Sequence, residues 1–238
     1  MRIAMWSGPR NLSTAMMYAF GARSDCAVVD EPFYAAYLAT TGLEHPMRDE
    51  ILASQSQDPG EVSESLIGSN SGENAHFYQK HMTQHMVPGI SRDWMEHVVN
   101  VFLIRHPARV LASYAAKREN PTLKDIGFVQ QAELFDHVRA LGQTPVVIDS
   151  ADIRESPEQS LKKLCAAIGM KFDPAMLSWP KGGHRADGVW AAHWYGAIHG
   201  STGFAGPEGP LPGLTGELAE ISETALPAYQ KMKNFRLK

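Results

Sequence analysis

The chain has 238 residues, 44% of them hydrophobic and 20% charged, which is ample for one large core. Its formal net charge is -4, from 22 basic and 26 acidic residues, so it lacks the basic surplus by which phosphate contacts hold a protein on nucleic acid. No apolar run approaches the ~20 residues that span a bilayer, and Cys26 and Cys165 lie in apolar stretches that read as buried thiols, not as a disulfide framework.

"RIAMW" at 2–6 predicts a short buried strand, and its start by Arg2 leaves no room for a signal peptide, so a cytoplasmic protein is expected. "LSTAMMYAFGA" predicts a helix with Ser13 and Thr14 in its first turn and Gly21 as a left-handed cap. "CAVVD" at 26–30 is a second apolar run, and "FYAAYLA" after it reads as helical. Residues 46–74 are polar around two predicted helices, "MRDEILAS" and "PGEVSESLIG", and "HFYQK" at 76–80 predicts a third strand. "HVVNVFLIR" is the strongest strand, followed by the helix "PARVLASYAAKRE" with Pro107 at the permitted first position. A helix at 125–141, the strand "PVVID", the helix "SPEQSLKKLCAAIG" and a terminal helix at 215–233 complete the set.

Strands alternating with helices predict an α/β fold over 1–238, a parallel β-sheet flanked by helices on both faces, as a single domain. Ligands of such sheets bind beyond the carboxyl ends of the strands. Arg10, Glu31, Lys80, Arg105 and Asp149 all fall at or just after a predicted strand end. Residues 182–213 hold nine Gly and three Pro, yet embed Trp190, Trp194, Tyr195 and Phe204, which fits a segment that packs as a ligand cover.

The loop "GPRNLST" at 8–14 runs into a helix start, where unpaired N–H groups and the dipole attract anions. Arg10 adds a fixed charge, and Ser13 and Thr14 add hydroxyl donors for a phosphate or sulfate group. The blander alternative has Ser13 capping the helix and Arg10 pairing with a carboxylate. The triphosphate-binding pattern G-x-x-x-x-G-K-[ST] is absent. In "RHPARVLAS", Ser113 lies ~9 Å along the helix from its start, so Arg105 and Ser113 could clasp a second anion, distinct from that at Arg10.

On these residues the chain resembles the sulfotransferase family. "PRNLST" is similar to that family's first motif, approximately P-[KR]-S-G-T-T, with Asn11 and Leu12 in place of Ser-Gly, and "RHPARVLAS" fits R-[NDH]-P-x-x-x-x-x-S. "VVIDSADIRESPEQSLKKLCAAIGMKFDPAML" is similar to a later family segment, without its Tyr. The resemblance implies a P-loop NTPase-like α/β fold and 3′-phosphoadenosine 5′-phosphosulfate as co-substrate. It places Arg10, Asn11, Ser13 and Thr14 at the phosphosulfate and Arg105 and Ser113 at the 3′-phosphate. Lys181 and Gly182, in "WPKGGHRADGVW", are faint matches to a second 3′-phosphate contact.

Sulfuryl transfer needs an aligned acceptor, neutralised charge and a base. Glu31 is the first candidate base, since it follows the second strand as in the tyrosylprotein and bacterial trehalose enzymes; an Asp30–Glu31 surface pair, or a carboxylate held by Arg10, is the alternative. The cytosolic branch has Lys-x-His after its third strand, whereas "YQKHMTQHM" puts His81 directly after Lys80, a one-residue shift that flips a strand side chain to the other face. Lys80 could touch the bridging oxygen, and His81 and His85 are reserve bases. Their four-residue spacing lacks the Glu and third ligand of a zinc site, so no metal is expected.

The sequence therefore predicts a sulfotransferase acting on a hydroxyl or amine of a small-molecule acceptor, without nucleic-acid or membrane partners and with oligomeric state open. Phe33, Tyr34, Tyr37, Trp190 and Trp194 are candidates for an aromatic acceptor pocket. The rivals are a small-molecule kinase or phosphotransferase and a non-catalytic nucleotide- or anion-binding protein. A pyridoxal-phosphate transaminase fits poorly, because no Lys sits in a recognisable cofactor context.

Overall fold

Five apolar segments pair into one sheet: β1 (Arg2–Ser7), β2 (Cys26–Asp30), β3 (His76–Met82), β4 (Val99–Ile104) and β5 (Val146–Asp149). Their order is β2-β3-β1-β4-β5 and every pair is parallel. The computed structural model describes residues 1–68, 74–116 and 120–238. Between the strands run α1 (Ser13–Gly21), α2 (Tyr34–Thr41), α3 (Arg48–Ser54), α4 (Pro59–Ile67), α5 (Pro107–Ala115), α6 (Leu123–Ile126) and α7 (Phe128–Ala140). After β5 come α8 (Ser150–Glu155), α9 (Pro157–Ala167), α10 (Ala191–Trp194), α11 (Gly196–His199) and α12 (Gly216–Lys233).

The period of two along the strands sorts the core into two layers. Ala4 and Trp6 face a cluster with Val110 and Leu111 of α5, Leu134 and Phe135 of α7, and Tyr229 and Met232 of α12. Ile3 and Met5 face the opposite cluster, with Met16 and Phe20 of α1 and Leu161 and Leu164 of α9. Helices thus cover both faces, as the sequence predicts. Because β1 lies in the middle, its carboxyl end borders those of β3 and β4, and the loop after it sits at the centre of that edge.

Three local expectations are corrected. Gly21 is the last helical residue of α1, not a left-handed cap, and Ala22 ends the helix at φ -74; Gly21 instead makes room for His184, which a Cβ would meet at 2.8 Å. The helix expected at 125–141 is broken: a Thr122–Asp125 capping box starts the single turn α6, and Gly127 at φ 69 separates it from α7. Asp149 does not join the site; it caps α8 at the Ala151 amide (2.9 Å) and accepts from the Tyr229 hydroxyl (2.8 Å). Residues 117–119 of the helix predicted after β4 lie outside the described residues.

Gly8, directly after β1, is fixed by close approach. A Cβ there would lie 2.4 Å from the Ile126 carbonyl oxygen, which is backbone and cannot swing aside. Gly8→Ala is expected to destabilise the fold by about 1–3 kcal/mol, read as a lower urea midpoint. Gly213→Ala, with nothing within 4 Å of its Cβ, should leave the midpoint unchanged or slightly higher.

Candidate active site at the carboxyl edge of the sheet

The carboxyl ends of the strands open into a cavity of about 650 Å³, floored by the 9–15 loop and helix start and roofed by residues 190–205. Arg10, Glu31, Lys80 and Arg105 all line it. The loop is built from left-handed backbone: Arg10 has φ 58 and Leu12 φ 63. Leu12 stands where the resembling motif has Gly, so the conformation that Gly supplies freely is imposed here on a side chain, at about 1–2 kcal/mol.

Leu12 is also the N-cap of α1 and no side chain caps the helix, so Ser13 does not play that part. The first intrahelical bond runs from the Met16 amide to the Leu12 carbonyl (3.1 Å). The amides of Ser13, Thr14 and Ala15 therefore have no helical acceptor, and all three residues line the cavity. Asn11 is buried and braces the loop, its Nδ2 donating to the Leu103 carbonyl at 2.6 Å while its Oδ1 has no partner.

Arg10 and Arg105 do not form two separate clasps. Arg10 Nε donates to Ser113 Oγ at 3.0 Å, and Arg105 donates from one arm to the Arg10 carbonyl and from the other to Glu208. The left-handed turn at residue 10 brings its carbonyl to Arg105 and its side chain to α5. The result is one continuous cationic wall beside the open helix start. Burial, and then the charge of Arg105, push the Arg10 pKa down.

The second half of the site is a buried charge cluster. Lys80 is 1% exposed, and its ammonium donates to Asp30 (2.8 Å), to the Tyr195 hydroxyl (2.7 Å) and to Glu31. Three acceptors satisfy its three donors. Tyr195 in turn donates to Asp30 (2.8 Å) and accepts from the Trp190 indole (3.1 Å). Burial works against the lysine's charge, but Asp30 and Glu31 outweigh it and raise its pKa. Two carboxylates share one ammonium, so burial, opposed by Lys80 and reinforced by Asp30, holds Glu31 above the usual carboxylate range.

The histidines part company. His81 points to the other face of β3, stacked on Trp6 with ring centroids 4.5 Å apart, and does not line the cavity. Burial, and then Lys80, bring its pKa down to about 3. His85 lines the cavity between Tyr34 and Tyr37, with Nε2 3.9 Å from Glu31 Oε2 and Nδ1 unpartnered. Lys181 and Gly182 lie away from the cavity; the Gly182 amide bonds the His199 carbonyl (2.9 Å). Tyr34, Trp190, Trp194 and Phe204 line it, whereas Phe33 packs on Trp94 in the core and Tyr37 stays behind His85. Among the described residues no group of three or more His, Cys, Asp or Glu is placed to hold a metal ion, and no helix is long and apolar enough to cross a membrane.

Sequence reasoning missed Asp30 and Tyr195 as polar members of the cluster, and Arg109, Arg154 and Glu208 behind Arg105. Two signals were available: Arg109 follows Arg105 by one helical turn, and Glu208 is the one acid between Asp187 and Glu217.

The sequence matches a family described as "Sulfotransferase domain" over residues 1–236. Two proteins of Arabidopsis thaliana are similar over nearly the whole chain: branched-chain-amino-acid aminotransferase-like protein 1, 34% identical over 98% of this chain, and protein 2, 32% identical over 97%. The chain spans 41% of each. The fold is similar to the sulfotransferase domain from the Synechococcus PCC 7002 olefin synthase, with TM-score 0.52, 17% identity and coverage of 94% of this chain and 93% of that one. The sulfotransferase domain from the curacin biosynthetic pathway gives TM-score 0.55 and 16% identity, covering 100% and 98%.

The charge cluster has its own test. Lys80→Met leaves two buried carboxylates uncompensated, a loss of about 3–5 kcal/mol at neutral pH. Burial already holds the Glu31 pKa above its unfolded value against the pull of Lys80, and removing the ammonium raises it further. Stability is then retained below the unfolded carboxylate pKa and lost as pH rises through the folded values. Urea midpoints of variant and parent should therefore converge toward pH 4 and diverge toward pH 8.

Proposed function

Because the chain belongs to the sulfotransferase-domain family, we propose that it moves a sulfuryl group from 3′-phosphoadenosine 5′-phosphosulfate to a hydroxyl of a small-molecule acceptor. The observation that carries this reading is the meeting, in one cavity, of an uncapped helix start flanked by Arg10 with the carboxylate of Glu31. A helix start and a guanidinium stabilise negative charge on the transferring group and on the departing phosphate. The open amides of residues 13–15 and the hydroxyls of Ser13 and Thr14 suit the 5′-phosphosulfate, and Arg105 suits the 3′-phosphate.

Glu31 is the base in this scheme. The acceptor oxygen attacks sulfur as its proton passes to the Glu31 carboxylate, the sulfur–oxygen bond to the 5′-phosphate breaks, and the bisphosphate leaves with the electron pair. A carboxylate whose pKa is raised by burial is a stronger base than a solvated one. Lys80 keeps that carboxylate ionised and aimed; its donors are already satisfied, so contact with the donor's bridging oxygen would require breaking one of three bonds. Tyr34, Trp190 and Trp194 give the acceptor a flat, largely apolar seat. The name of the plant relatives points instead to aminotransfer, but among the described residues Lys80 is the lysine that lines the cavity, and its ammonium is held charged where a Schiff base needs a free amine.

Two measurements test this reading. Calorimetry should show 3′,5′-bisphosphoadenosine binding more tightly than 5′-AMP, with Arg105→Ala weakening the bisphosphate about 10–150-fold; equal affinity for the two nucleotides would remove the 3′-phosphate contact. In an acceptor screen with labelled donor, Glu31→Gln should lower turnover about 10²–10⁴-fold while sparing bisphosphate binding. Unchanged turnover would transfer the role of base to His85.

A further inference from the structure

Behind Arg105 the structure holds an anion of its own. The Glu208 side chain is 4% exposed, although it belongs to a segment rich in Gly and Pro. Its Oε1 accepts from Arg154 Nη1 at 2.7 Å and from Arg105 Nη2, and its Oε2 lies 3.1 Å from Arg109 Nε. Burial would raise the pKa of this carboxyl, but the arginines, Arg105 foremost, hold it below the usual range. One carboxylate shared by three guanidiniums leaves the cluster with a surplus of positive charge. Such a surplus matches a phosphate monoester, with nearly two charges and three acceptor oxygens, better than it matches one carboxylate.

The segment that carries Glu208 is built to be moved. Residues 204–215 contain no helix or strand, and Gly209 sits at φ 69. Residues 206–209 are held by arginine side chains: Arg154 donates to the Gly206 carbonyl at 2.8 Å, and Arg109 donates to the carbonyls of Glu208 and Gly209. Phe204, edge-on to Trp179, and Leu214 pack on the two apolar layers at either end, so release involves residues 205–213, none of which joins those layers. The same groups that hold this strap would hold an arriving phosphate.

We propose that Arg105, Arg109 and Arg154 together form the site for the donor's 3′-phosphate, and that Glu208 is an internal anion occupying this site until the phosphate displaces it. This rests on the donor reading above. Glu208 then sets donor specificity: a nucleotide without a 3′-phosphate brings no second anion to displace the strap and leaves Glu208 on its arginines. Arg109 and Arg154 are binding residues that become available only when the strap leaves.

Glu208→Gln keeps the side-chain shape and removes the competing charge. Calorimetry should show 3′,5′-bisphosphoadenosine binding about 10-fold more tightly to this variant than to the parent, with 5′-AMP unchanged; equal or weaker bisphosphate binding overturns the proposal. If the bisphosphate binds neither protein, the donor reading fails, and inorganic phosphate then decides on Glu208. Tighter phosphate binding by the variant sustains it as a competing anion, and equal binding removes that role. A third readout needs no variant: saturating bisphosphate should speed cleavage after Glu208 by a glutamate-specific protease in the parent, since the side chain and the carbonyls of residues 206–209 then leave the arginines, and slowed or unchanged cleavage would show that the strap stays in place.

Discussion

A lysine buried to 1% exposure at the end of β3 is the constraint from which the site follows. Removing an ammonium from water is unfavourable by several kcal/mol, and only close pairing offsets it. Parallel pairing of β2 with β3 makes Asp30 and Lys80 register partners, so their side chains emerge side by side. Glu31 follows at once, its amide donating to the Lys80 carbonyl at 2.9 Å. A one-residue slip of β3 would carry Lys80 into the ring cluster of Trp6 and Trp94 and bring His81 against the carboxylates. Ion pairing and aromatic packing thus select the same register from opposite faces of the sheet.

The charge cluster also fixes the roof. Tyr195 and Trp190 come from the Gly/Pro-rich segment, and the Gly188 amide adds a bond to Asp30 at 3.2 Å. Farther along, Glu208 ties the segment to the arginines. A long stretch with little regular structure keeps its place because polar anchors at two points, with the buried Trp190 indole, offset the conformational entropy lost in ordering it. The Glu31 side and the Arg105 side of the cavity are covered by one piece of chain, pinned at each side by charge.

Much of this was legible in the sequence because it depends on local pattern. Apolar runs such as "CAVVD" and "HVVNVFLIR" became β2 and β4, and "PARVLAS" became α5 with Pro107 at its start. The face-flip of His81 relative to Lys80 also follows from strand geometry alone. What stayed hidden depends on residues far apart in the chain. Arg10 and Ser113, Lys80 and Tyr195, and Arg105 and Glu208 are each separated by about a hundred residues, and no spacing rule joins them. Asp149 misled for a related reason: a strand-end carboxylate serves equally well as a helix cap, and the neighbouring Ala151 amide claimed it first.

The unfavourable terms in the structure gather where an anion would relieve them. Five non-glycine residues among those described have positive φ, and Arg10, Leu12 and Glu31 of these line the cavity. Such backbone is unfavourable by about 1–3 kcal/mol per residue and persists only where surrounding packing over-determines it, here two apolar layers either side of β1. Arg10 and Arg105 add a like-charge contact beside open helix amides. At physiological ionic strength charges farther than ~8 Å are largely screened, so the net charge of -4 does little to repel an anion already at the cavity mouth. Short-range geometry therefore decides, and it sets Arg10 and Arg105, joined through the Arg10 carbonyl, beside the open amides at the start of α1.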